Sequence, residues 1–102
     1  MDQLTLKLKP KYIGKMQTLI NVFGNNDLLV DKFFEYHINR LKREIGRMQL
    51  ALSKYEVKYN MTSDVFYQKI ENGELGDDKD FVMWSGIYEL LVESKKQLAQ
   101  LV

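Results

Sequence analysis

At 102 residues, 45% hydrophobic and 12% aromatic, the chain has room for one small domain and enough apolar content to argue against wholesale disorder. It holds no cysteine, which excludes disulfides, thiol catalysis and cysteine-ligated zinc, and which suits a reducing, cytoplasmic setting. The net charge of +1 conceals a polarity: residues 1–60 carry eleven Lys and Arg against six Asp and Glu, a net +5, whereas residues 61–102 carry four against eight, a net −4.

The N-terminal segment Gln3 to Lys9 alternates, with Leu4, Leu6 and Leu8 on one side and Gln3, Thr5, Lys7 and Lys9 on the other. Strict alternation of this kind predicts a half-buried strand. It contains no continuous apolar run of the secretory type, and nowhere does the chain approach the ~18 apolar residues of a membrane span. Pro10 stands where a first helical residue is tolerated, since its missing N–H would be unpaired there anyway. Tyr12, Ile13, Met16, Leu19, Ile20 and Phe23 then recur at three- and four-residue steps, predicting an amphipathic helix that Gly24 ends. Asn25 and Asn26 follow as turn and capping residues.

A long helix is predicted from about Asp27 to about Tyr59, with no proline inside it. Phe34, Ile38, Leu41, Ile45, Met48, Leu52, Tyr55 and Tyr59 follow a 4-3-4-3 rhythm, the seam of a paired helix. Such a seam fits a helix packed on its copy in a dimer, and equally one packed on the chain's own later helices. The expectation is a division, the first half facing a second subunit and the second half covered by residues 60–102. Gly46 is a point where this helix could kink. Beyond Asn60, Thr62 or Ser63 can cap a short helix to about Ile70, Glu71 to Asp80 reads as an acidic loop, and Asp78 or Asp80 can cap a last helix bearing Phe81, Trp84, Tyr88, Leu91 and Leu98.

A lone strand ahead of two helices leaves its backbone groups unpaired, and the economical remedy is a second copy that pairs strand with strand. With the alternating segment Leu4 to Leu8, Pro10 opening a helix, apolar Ile13, Met16, Ile20 and Phe23, and the turn Gly24-Asn25-Asn26, residues 3–45 resemble the ribbon-helix-helix family of DNA-binding repressors. The resemblance implies a mainly α fold with one short N-terminal β-strand, a homodimer (or a tetramer built on the seam), and a helical C-terminal extension. The division expected is residues 1–45 for dimerisation and DNA binding and 46–102 for a partner. Dimer contacts would come from Leu4, Leu6, Leu8, Phe34, Ile38, Leu41 and Ile45. Gln3, Thr5 and Lys7 would read base edges of double-stranded DNA, while Lys9, Asn25 and Asn26 would hold phosphates. Asp27 departs from this pattern, because a carboxylate there opposes an anion.

By the same resemblance, to antitoxins of that family, the extension would bind a protein toxin, and Phe66, Tyr67, Trp84 and Tyr88 are the aromatic residues suited to such an interface. The plainer alternative is that these aromatics complete the core against the long helix. The competing functional reading is a helical dimerisation or adaptor protein with no DNA role.

Catalysis is not expected. His37 is the only histidine, and neither a cysteine nor a carboxylate stands four residues to either side of it. Asp77, Asp78 and Asp80 lack the spacing of a calcium loop, and Ser53, Ser63, Ser85 and Ser94 have no base to activate them. No cofactor, metal, small-molecule substrate or membrane partner is expected either.

Overall fold

The computed structural model describes residues 2–102 and shows, among them, four helices and no strand: α1 (Pro10–Phe23), α2 (Asn26–Tyr59), α3 (Ser63–Glu71) and α4 (Lys79–Leu101). The expected N-terminal β-strand is thus corrected. Residues 2–9 carry neither helix nor strand, and the fold is all-α rather than ribbon-helix-helix. The reason is physical. Alternation encodes which side chains would be covered, but a strand exists only where ladder bonds reach a neighbouring strand, and four helices provide none. Leu4 and Leu6 remain 88% and 68% exposed.

The chain divides into two compact units, the first running to Tyr36 and the second His37–Val102. In the first, Lys9 is extended (φ −64°, ψ 148°), as the residue before a proline prefers, and Pro10 opens α1. Gly24 closes it at φ 106°, a conformation that favours glycine, and donates its N–H to Ile20 O at 2.9 Å. Asn25 then caps α2, its Oδ1 accepting from Leu28 N–H at 2.9 Å. None of the described residues of this unit is buried.

The second unit has the core. Ile45 and Leu52 of α2, Phe66 of α3, and Trp84 and Leu91 of α4 form one buried cluster, against which Met48, Tyr55, Tyr59, Phe81 and Tyr88 pack. The seam from Ile45 onward is therefore covered by the chain's own later helices. Asn60 ends α2 in the left-handed region (φ 51°), and Met61 N–H turns back to Glu56 O at 3.2 Å. Gly73 does the same after α3, at φ 71°, with Glu74 N–H reaching Lys69 O at 2.9 Å. Asp78 caps α4 by accepting from Asp80 N–H at 2.9 Å. The helix α2 runs unbroken through Gly46. Among the described residues no helix is long and apolar enough to cross a membrane.

Candidate functional site

The first unit offers an apolar surface without a core. Alpha-helical spacing puts Ile13, Leu19 and Phe23 on α1, and all three are exposed, as are Tyr12 and Val22 of α1 and Leu28, Val30 and Phe34 of α2. Met16 and Ile20 are half-buried. Removing apolar surface from water stabilises by about 25 cal/mol per Å², a gain these side chains do not realise within this unit. Of the residues expected to dimerise, Leu4, Leu6, Leu8 and Phe34 are exposed and Ile38 is half-buried. Leu41 and Ile45 are buried at 4% and 8% exposure, and Ile45 belongs to the second unit's core. Both seam positions are thus already covered within a single chain.

The residues expected at DNA share one property: Gln3, Thr5, Lys7, Lys9, Asn25 and Asn26 are all exposed. The side-chain oxygen of Asn25 is committed to capping α2, and Asn26 is the first residue of that helix, followed at once by Asp27. The structure does not arrange Gln3, Thr5 and Lys7 as the face of a ribbon, since there is no strand among the described residues to carry them.

In the second unit the aromatic set separates into core and surface. Phe66 and Trp84 are 0% exposed, stacked with ring centroids 3.7 Å apart and planes 3° from parallel. Tyr55 and Tyr59 stack on Trp84 at 5.6 and 5.7 Å. Phe66 and Trp84, expected at a partner interface, are therefore core residues of this unit. Tyr67 and Tyr88 keep a surface position, half-buried and paired at 5.0 Å.

Three polar attachments went unread in the sequence. Ser63 Oγ accepts from Trp84 Nε1–H at 2.9 Å and donates to Glu56 Oε2 at 2.8 Å, while Ser63 N–H donates to the same carboxylate oxygen at 2.8 Å. Glu56 thus supplies, from the end of α2, the acceptor that an N-terminal capping side chain would give α3. Asp80 Oδ2 accepts from Tyr59 Oη and Lys58 Nζ, both at 2.6 Å, and these bonds, that to Lys58 first, hold its carboxyl below the usual range. Tyr67 Oη donates to Glu89 Oε1 at 2.6 Å, a bond that pushes the tyrosine hydroxyl's pKa strongly upward. The only available sequence signal was the position of Asp80 in the first turn of α4, where a carboxylate is favoured.

Between α3 and α4 lies an open groove of about 420 Å³, lined by Asp64, Tyr67 and Gln68 from α3 and by Tyr88, Glu89, Val92 and Glu93 from α4. Its walls are aromatic and its titratable groups other than the tyrosines are all carboxylates. Among the described residues, no three His, Cys, Asp or Glu side chains gather closely enough to hold a metal ion.

No protein-family model, no curated protein and no solved structure matches this chain.

Proposed function

We propose that this chain acts by assembling with other macromolecules: the first unit closes on a second copy, and the second unit is a folded helical platform for a protein partner. One observation carries the reading. Not one described residue up to Tyr36 is buried, although the segment contains an amphipathic helix with large apolar side chains. A second copy offering the same face would cover both, giving a self-complementary two-fold interface.

A second reading, a DNA-binding regulator whose partner is a toxin, draws on one observation of its own. Gln3, Thr5, Lys7 and Lys9 are all exposed on the segment leading into α1, in the part of the chain that carries the +5 charge. Basic segments bind phosphate backbones electrostatically without needing a strand.

One set of measurements tests both. Light scattering should give a dimer mass, and the double variant Ile13→Asp, Leu19→Asp should give a monomer. Trp84 lies within the second unit and is the chain's only tryptophan, so unchanged Trp84 emission would show that this unit still folds. A wild-type chain that stays monomeric at high concentration would overturn the assembly reading. A mobility shift on DNA from upstream of its own gene, weakening with salt and in Lys7→Ala, would support the regulator; no shift at low salt would remove it and leave assembly standing.

A further inference from the structure

We propose that the groove between α3 and α4 receives an arginine side chain of a protein partner. The inference rests on the platform reading above and names the chemistry that the platform recognises.

The groove combines two features that one kind of side chain satisfies together. Tyr67 and Tyr88 present a ring pair with centroids 5.0 Å apart and planes inclined by 35°, and Val92 extends the apolar wall. Around them stand the carboxylates of Asp64, Glu89 and Glu93, with no lysine or arginine in the lining. A purely apolar ligand would leave these carboxylates without a counter-charge, and an anion would be repelled by them. A guanidinium is planar, weakly hydrated and able to stack on a tyrosine face while its N–H fork pairs with a carboxylate. An ammonium is a compact, strongly hydrated point charge, and it gains less from the aromatic walls.

The bond from Tyr67 Oη to Glu89 adds preorganisation. It fixes the carboxylate beside the ring pair at 2.6 Å, and it keeps the tyrosine protonated well past its ordinary range. The groove's negative character also agrees with the net −4 of residues 61–102, which would draw a basic surface toward this unit before contact.

The test uses the full chain and two short peptides blocked at both ends, tetra-arginine and tetra-lysine, followed by NMR at the Tyr67 and Tyr88 rings. The arginine peptide should give saturable shifts at both rings and bind more tightly than the lysine peptide. Glu93→Gln should weaken it by about five-fold, the loss of one charge-assisted contact, with Trp84 emission unchanged. Equal affinity for the two peptides would overturn the proposal. So would shifts as large in the acidic loop at Asp77 and Asp78 as in the groove, or no effect of Glu93→Gln. The oligomeric state, measured separately, keeps the two readings apart: a dimer that ignores arginine sinks the groove alone, and a monomer that binds it sinks the assembly of the first unit alone.

Discussion

Ser63 is the side chain on which the second unit's polar interior turns. Its hydroxyl accepts from the indole of Trp84 and donates to Glu56, and the serine is only 5% exposed. Replacing it by alanine leaves the Trp84 N–H without an acceptor inside a ring stack that excludes water. Ser63→Ala should therefore destabilise the unit by about 1–3 kcal/mol, the usual consequence of an unpaired buried donor. Urea titration followed by Trp84 emission would measure it, and a change below about 0.5 kcal/mol would show that water takes the serine's place. Little of this was readable beforehand. Ser63 stood with Thr62 as a candidate cap, but Thr62 holds the cap position and Ser63 is the first residue of α3. Trp84 stood as a partner-binding residue, with the core as the alternative. Glu56 was not readable, because its carboxylate reaches Ser63 only through the reversal at Asn60, whose left-handed conformation leaves no mark in a periodicity. Phe66 and Trp84 show a related difficulty. An aromatic on a helical stripe has the same spacing whether it faces its own core or a partner, and burial alone decides between them.

At the level of elements, periodicity and capping residues located all four helices, including the start of α1 at Pro10 and its stop at Gly24. Gly46 was the doubtful point of α2, and the helix runs through it. A methyl group added there would meet nothing within 4 Å. Gly46→Ala should accordingly stabilise α2 by about 0.5–1 kcal/mol, because alanine loses less backbone entropy on becoming helical. A rise in the urea midpoint with an unchanged slope would bear this out; a fall would mean that the glycine accommodates a close neighbour in the assembled state. The failed element is the strand at Gln3 to Lys9. A helix satisfies its own backbone, so a pattern of 3.6 is nearly sufficient to predict it. A strand's hydrogen bonds lie outside itself, and an alternating pattern states only half of what a strand requires. The same asymmetry explains why the seam from Ile45 to Tyr59 was legible as buried but ambiguous as to what buried it.

Over the whole molecule, acid and alkali should attack different attachments of the same unit. Asp80 is held below the usual carboxylate range by Lys58 and Tyr59, and Asp64 by hydrogen bonds from Thr62 and the Val65 backbone. A carboxyl group whose folded pKa is depressed contributes stability that is complete above its unfolded pKa of about 4 and is lost as pH falls through the folded value. On the alkaline side the shifts run upward: Tyr67 through Glu89, Tyr59 through Asp80, and Lys58 through Asp80. Groups with raised pKa values contribute fully below their unfolded values of about 10, and that contribution is lost as pH rises through the folded ones. The unit should thus hold a stability plateau from about pH 5 to about pH 9, with separate losses at either end. Asp80 takes part at both ends, since it is the acceptor for Tyr59 and Lys58 alike. Asp80→Asn should lower the urea midpoint on the plateau and flatten the acid limb, with variant and wild type converging at low pH. It should also soften the alkaline limb, leaving there the part that Tyr67 and Glu89 supply. An acid limb just as steep in Asp80→Asn would assign the loss to other carboxylates and show that the 2.6 Å contacts tie α4 to the end of α2 without contributing to its pH dependence.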